Sequence, residues 1–239
     1  MSGSIKQSCT VGLARLYLGD CRGVLSALRA HDPDVVDGVV ISDPPYGIGY
    51  VHGGHGKGVH WGLKTGRGKT RNANMPIHGD DEPFDPAHLS GFKNMLLFGA
   101  NHYAQRLPVG GTWICWDKSP GAVGPEDNFS DAEFAWASFP VKRNVIRHLW
   151  KGLACVKAGE ENGARYHPTT KPQGVMLRCI DLAPPGVIID PYMGSGSTGV
   201  AAVSRGREFI GIELEQRYFD VACERIERAQ RQARMDFTA

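Results

Sequence analysis

The sequence predicts an α/β fold, and three stretches carry that expectation. Val39-Val40-Ile41-Ser42 is an apolar run that stops at Asp43-Pro44-Pro45-Tyr46. Gly186 to Ala202 reads as a strand, a glycine turn and a small-residue helix. Arg207 to Leu214 reads as a further strand ending in an acid, with a helical pattern after it. Short buried strands that run through glycine turns into helices belong to layered α/β sheets.

The first of these elements is bounded by its own chemistry. Two successive prolines fix φ and remove two N–H donors, so the strand cannot continue past Ser42. The residue before a proline is also pushed away from helix. The chain leaves the sheet as a stiff elbow that holds the Asp43 carboxylate, carbonyls free of competing donors, and the Tyr46 ring. Carboxylate and carbonyl both accept from an exocyclic NH2, and a ring stacks on a planar base. That set is suited to gripping an amino-bearing nucleobase. A proline-rich turn with a surface acid is the alternative reading.

In the second element, Val187 to Ile189 is the strand and Asp190-Pro191-Tyr192-Met193-Gly194-Ser195-Gly196-Ser197 the turn. Gly194 and Gly196 permit close backbone approach, and Gly199 to Val203 opens a small-residue helix. Turns of this kind bind nucleotide-like ligands at the carboxyl edge of a sheet. No Gly-Lys-Ser/Thr follows, so it is not a P-loop. The third element places Glu213 about one βαβ unit later, where an acid can accept both hydroxyls of a ribose. The helix after it, roughly Gln216 to Arg234, lines up Phe219, Ala222, Cys223, Ile226 and Ala229 on one stripe.

The middle of the chain reads as scaffold. Asn94 to Gly99 and Thr112 to Asp117 form strands, and Ala132 to Ala137 and Asn144 to Trp150 the antiparallel edge strands. Trp113, Trp116, Trp136 and Trp150 are expected in the core or a pocket wall, with Asn101 and Asp117 at strand ends.

Length and composition set bounds. A chain of 239 residues suits one α/β domain, and 41% hydrophobic residues suffice for its core. No apolar run is long enough for a membrane span, and Met1 to Thr10 lacks the apolar region of a signal peptide. Six scattered cysteines, none in C-x-x-C spacing and none after a proline, fit a reducing cytoplasm and point to neither a zinc site nor a cysteine nucleophile. No metal is expected.

The net charge of +2 does not announce a polyanionic partner, but its distribution does. From Gly47 to Gly79 there is no Asp or Glu, while Lys57, Lys64, Arg67, Lys69 and Arg71 fall there among many glycines. This segment starts directly after the elbow and reads as a basic loop for a phosphate backbone, with Trp61, Asn72 and Asn74 able to reach bases. A solvated disordered loop is the alternative.

Taken together, these motifs resemble the β-group of S-adenosylmethionine-dependent DNA amino-methyltransferases, which make N6-methyladenine or N4-methylcytosine. The matching pieces are Leu18-Gly19-Asp20, Asp43-Pro44-Pro45-Tyr46, Leu96 to Asn101, His167-Pro168-Thr169-Thr170-Lys171-Pro172, Asp190 to Ser197 and Gly211-Ile212-Glu213. The catalytic half comes first and the cofactor half second. The resemblance implies a circularly permuted Rossmann-like fold: a mostly parallel seven-stranded sheet with helices on both faces. It implies a catalytic set of Asp43, Pro44, Pro45 and Tyr46, in which Asp43 and the Pro44 carbonyl accept from the target NH2 and Tyr46 stacks on a flipped base. It implies cofactor contacts from Asp20, Asp43, His167, Thr169, Lys171, Asp190, Met193, Gly194, Ser195, Gly196, Ser197 and Glu213, with a helix starting near Pro172.

On this reading the chain is a cytoplasmic, site-specific DNA adenine-N6 methyltransferase acting on double-stranded DNA. Asp at the first elbow position favours adenine over cytosine-N4. A nicotinamide-binding oxidoreductase is the rival from another class, and it leaves the elbow unexplained. One departure stands out. Family members usually carry a sizeable recognition segment before the His-Pro-Thr motif, and here only residues 151–166 are available. Recognition then falls to the Gly47–Gly79 loop or to the partner in a homodimer, or else it is weak and the specificity relaxed. The compactness suits a phage- or prophage-like enzyme whose restriction partner, if any, is a separate chain.

Overall fold

A computed structural model describes residues 5–49, 78–120, 130–150 and 170–236. Its strands are β1 (Ile5–Val11), β2 (Ala14–Gly19), β3 (Val39–Ser42), β4 (Asn94–Phe98), β5 (Thr112–Asp117), β6 (Ala132–Ala137), β7 (Val145–Arg147), β8 (Ile188–Asp190) and β9 (Phe209–Glu213). The helices are α1 (Cys21–His31), α2 (Pro33–Val36), α3 (Gln173–Leu182), α4 (Ser197–Ser204) and α5 (Gln216–Asp236).

All nine strands among the described residues join one sheet, in the order β1-β2-β9-β8-β3-β4-β6-β5-β7. The run β2-β9-β8-β3-β4 is parallel throughout. β6 is antiparallel to both β4 and β5, and β7 returns parallel to β5. Two expectations are corrected here. The sheet has nine strands rather than seven; one of them is the exposed β1, which pairs antiparallel with β2. Its polar, outward-facing sequence gives no hydrophobic signal. The two expected antiparallel edge strands also separate: β6 is antiparallel but interior, and β7 is at the edge but parallel.

Strand alternation divides the core into two layers. Val39, Ile41, Leu96, Phe98, Ile188 and Phe209 face one side, where Val175, Met176, Cys179 and Ile180 of α3, Val200 to Val203 of α4, and Phe219, Ala222 and Ile226 of α5 cover them. Val40, Met95, Leu97, Ile189, Ile210 and Ile212 face the other side, against Val24 and Leu25 of α1, Val35 of α2 and the segment bearing Phe84, Leu89 and Phe92. Helices therefore lie on both faces, and β3, buried at all four residues, reads as a continuous apolar run for that reason. Trp116 and Trp136 are buried and Trp150 packs against the core, but Trp113 is exposed. Cys179 is fully buried and Cys115 only partly.

The site is fixed by connectivity. From β8 the chain passes through α4 to β9 on one side, whereas β4, the next strand after β3, lies on the other. Strand order reverses between β8 and β3, and crevices of α/β sheets open at such a reversal, outside the carboxyl ends of the strands.

Candidate active site

Four carboxylates stand at the carboxyl ends of four neighbouring parallel strands. Asp20 follows β2, Glu213 ends β9, Asp190 ends β8 and Asp43 follows β3. Each was singled out in the sequence, and the sheet brings them to one edge.

Asp190 is buried and engaged by protein groups. It accepts from Ser42 Oγ at 2.5 Å, Thr198 Oγ1 at 2.5 Å and the Tyr192 N–H at 3.1 Å. Burial pushes its carboxyl up to about 6 despite those three donors. It ties the end of β3 to the first turn of α4. Glu213 is held in a similar way. One oxygen accepts from the Gly194 N–H at 2.9 Å and the other from the N–H groups of Leu214 and Glu215, each at 2.8 Å. Burial raises its carboxyl above the usual range, with these backbone donors pulling against it. Asp20 is the N-cap of α1 and accepts from the Arg22 N–H at 2.9 Å. That satisfies one of the helix's open donors, and the residue itself is exposed.

The glycine turn between β8 and α4 takes its shape from contacts. Gly194 and Gly196 sit at φ 52° and 82°, conformations that cost little only for glycine. A Cβ on Gly196 would lie 2.9 Å from that of Ala222, so the turn rests directly on α5. From α5 the buried Arg225 donates to the Ser195 carbonyl, to Ser195 Oγ at 3.0 Å and to Ser197 Oγ at 3.5 Å. Met193 is buried, with its N–H on the Ile212 carbonyl at 3.0 Å. Arg225 has no signal in the sequence, because it sits beside the apolar stripe at a position that reads as solvent-facing.

The elbow carries the densest cluster of charge. The Tyr46 hydroxyl donates to Asp43 Oδ1, and Lys171 Nζ donates to Asp43 Oδ2 at 2.7 Å and to the Tyr46 hydroxyl at 3.2 Å. Lys171 Nζ also lies 3.2 Å from Glu133 Oε2, and Lys118 Nζ is 2.8 Å from Glu133 Oε1. Burial pushes the Asp43 carboxyl up, with Lys171 and Tyr46 opposing. Burial works against the Lys171 charge, but Asp43 and Glu133 outweigh it and hold it well above the ordinary lysine value. Burial also opposes ionisation of Glu133, yet Lys171 and Lys118 bring it down to about 2. The resemblance implies a cofactor contact for Lys171; among the described residues its Nζ meets Asp43, Tyr46 and Glu133.

The Tyr46 ring stacks on His102 at 5.3 Å between centroids and 14° between planes. Gly99 lies against the same ring, at φ 64°, where an added Cβ would come 2.1 Å from Tyr46 Cε1. Pro44 is buried and Pro45 partly buried. Asn101 is exposed on the turn after β4, and Asp117 Oδ1 accepts from the Ser119 N–H at 3.1 Å.

The basic segment is pinned at its neck. Asp80, itself buried, accepts from the N–H groups of Gly47 at 2.8 Å and Ile48 at 3.3 Å, and its carbonyl accepts from the Gly49 N–H at 2.8 Å. Lys57, Lys64, Arg67, Lys69, Arg71, Trp61, Asn72 and Asn74 lie outside the described residues, as do His167, Thr169 and the segment 151–166.

The known proteins that this chain resembles are methylases. The family described as DNA methylase, of N6 and N4 type, matches residues 113–224. "Putative methylase YubD" of Escherichia coli (strain K12) is 40% identical, over 92% of this chain and 92% of its own length. The type II methyltransferase M.HinfI of Haemophilus influenzae is 30% identical over 165 residues, which span 58% of this chain but 45% of M.HinfI. Among solved structures, the M1.HpyAVI–SAM complex superposes with a TM-score of 0.51 at 20% identity, covering 89% of this chain and 98% of that one. The PvuII DNA methyltransferase, cytosine-N4-specific, superposes at 0.53 with 14% identity and 96% coverage of both. The two superpositions show a shared fold, while the identity to YubD across nearly the whole chain shows kinship: the chain belongs to the N6/N4 family of DNA amino-methyltransferases.

Proposed function

We propose that this chain methylates the exocyclic N6 of adenine in double-stranded DNA, by direct in-line transfer from S-adenosylmethionine to a flipped base. The observation that carries the reading is Asp43. It is a half-buried carboxylate on a proline elbow, at the crevice between β8 and β3.

The edge fits the cofactor of this family. A ligand bearing a positive charge and a ribose finds Asp20, Glu213 and Asp43 along one edge and a glycine turn that admits close approach, while the buried Asp190 is taken up by Ser42, Thr198 and Tyr192 and holds that turn in place. When bound, S-adenosylmethionine supplies an electrophilic methyl group on its sulfonium. The chain must then hold a poor nucleophile in line with it, and positioning of this kind supplies much of the rate. Asp43 and the Pro44 carbonyl accept from the target NH2 and stabilise the positive charge that builds on its nitrogen. Asp43 need not take the final proton, because the methylated cationic amine is acidic enough to lose it to water. With His102 against one face of Tyr46, a base would stack on the other, contributing roughly 1–3 kcal/mol towards the cost of leaving the duplex.

Adenine is favoured over cytosine because the elbow starts with Asp, whereas cytosine-N4 enzymes more often start it with Ser. Cytosine-N4 transfer is the second reading; it uses the same groups, and a cytosine-N4-specific enzyme has the same fold. Site recognition falls to the basic segment that Asp80 anchors beside the elbow. The test is incubation with S-adenosylmethionine and mixed-sequence duplex DNA, followed by nucleoside mass spectrometry, with Asp43→Ala beside it. N6-methyladenine that disappears in Asp43→Ala is expected. N4-methylcytosine would move the assignment to the second reading, and no methylated nucleoside would end both.

A further inference from the structure

We propose that Glu133 is a positioning residue whose Oε2 draws the Lys171 ammonium off Asp43 when the target amino group arrives. The inference rests on Asp43 being the acceptor of that group. As the chain stands, both Asp43 oxygens are already engaged, Oδ1 by the Tyr46 hydroxyl and Oδ2 by Lys171 at 2.7 Å. An ammonium at Oδ2 occupies the place an incoming NH2 needs. Its charge also opposes the positive charge that grows on the nitrogen during transfer.

Glu133 supplies somewhere for the ammonium to go. Its Oε1 is satisfied by Lys118 at 2.8 Å. Its Oε2 is buried and, among the described residues, makes no hydrogen bond, although Lys171 Nζ is 3.2 Å away. The pair is in ion-pair range but out of hydrogen-bond alignment. A buried acceptor is costly to leave without a hydrogen bond, so closing that bond offsets the loss of the bond to Asp43. A rotation at the end of the Lys171 side chain suffices, because the ammonium already lies between the two carboxylates. The groups that face it are Asp43, Tyr46, Glu133 and the Phe98 ring, whose centroid is 5.3 Å from Nζ. None of them needs to move.

The test is a cycle of Glu133→Gln and Lys171→Met, each alone and combined, with kcat, both KM values and thermal unfolding measured beside Asp43→Ala. Glu133→Gln keeps an acceptor for Lys118 but not the charge that attracts Lys171. It should lower kcat by about 100-fold and raise the KM for DNA, with the KM for S-adenosylmethionine within about threefold of the wild type. In the Lys171→Met background the effect of Glu133→Gln on kcat should shrink to under about threefold, because no ammonium remains to be moved. Losses that simply multiply, or a wild-type kcat in Glu133→Gln, would overturn the proposal. If Lys171→Met does not fold, the split in Glu133→Gln decides alone: equal damage to both KM values means a merely structural role. An inactive Asp43→Ala beside a fully active Glu133→Gln rejects this inference and leaves the function standing. A fully active Asp43→Ala rejects both.

Discussion

Ser42 and Asp190 are 148 residues apart in sequence and joined by a buried hydrogen bond of 2.5 Å. Ser42 ends the strand that carries the elbow, and Asp190 ends the strand that carries the glycine turn. The same carboxylate reaches Thr198 in the first turn of α4, so one acid sets the spacing between the two halves of the site.

That acid gives stability a distinctive pH dependence. The folded-state value of Asp190 is about 6, against 3.8 for an ordinary carboxyl. Between these values the native state binds the proton more tightly than the unfolded chain, so ionisation costs stability as pH rises from about 4 through 6. The cost approaches roughly 3 kcal/mol at neutral pH. Asp190→Asn should abolish that slope. Denaturant unfolding of both proteins at pH 4, 5, 6 and 7 checks it, and equal slopes would show that Asp190 is not the group responsible. Glu133 works in the opposite sense. Held to about 2, it adds stability above pH 4.5 that is lost as pH falls towards 2.

Arg225 should govern cofactor affinity without touching the reacting atoms. Its guanidinium holds Ser195 and Ser197 from beneath. Arg225→Met should raise the dissociation constant for S-adenosylmethionine by about tenfold or more and lower stability by about 1–3 kcal/mol. Calorimetric titration with the cofactor alone measures the first, and unchanged affinity would remove Arg225 from the site.

Gly99→Ala should act through Tyr46. The new methyl group would fall inside the ring's contact distance, and φ of 64° is unfavourable for alanine. A loss of about 1–3 kcal/mol is expected, with methyl transfer falling more steeply than cofactor binding. Equal falls in both would mean that the displaced ring is not at the target.

Asp80→Ala should release the neck of the basic segment by stripping the acceptor from the N–H groups of Gly47 and Ile48. About 1–3 kcal/mol of local stability goes with it. Limited trypsin digestion should cut faster within residues 50–77 at unchanged cofactor affinity. The salt dependence of DNA binding should also weaken if the cations there meet phosphates.

The parts of this site legible in the sequence are those whose residue type forces the backbone. Proline stops β3 at Asp43, glycine shapes the turn at Gly194 and Gly196, and an acid ends β9 at Glu213. Each makes a local demand that a short window reveals. The parts that stayed hidden depend on distant pairing. Lys171 meets Asp43 across 128 residues, and Arg225 meets Ser195 across 30. The motif around Lys171 marks the residue but not its partner, and Arg225 carries no mark at all, because an arginine bound for a buried partner looks the same in sequence as one bound for water. β1 was missed for the opposite reason: its alternation is blurred where every residue but two is exposed. The parallel pairing of β7 with β5 rests on three residue pairs, too few for a pattern to show direction.

The order of strands also sets a timetable. β3 receives one neighbour, β4, early in synthesis, but its other neighbour, β8, lies near the far end of the chain. β2 waits longer still, for β9. On the ribosome the two strands that deliver Asp20 and Asp43 therefore emerge with an open side and stay so until the last quarter of the chain follows. Non-local closure of this kind is slow, and unpaired strand edges invite association meanwhile. The permuted order thus makes β8 and β9 a latch on the nascent chain, and a product that stops short of Phe209 is left with exposed edges on the strands that build the site.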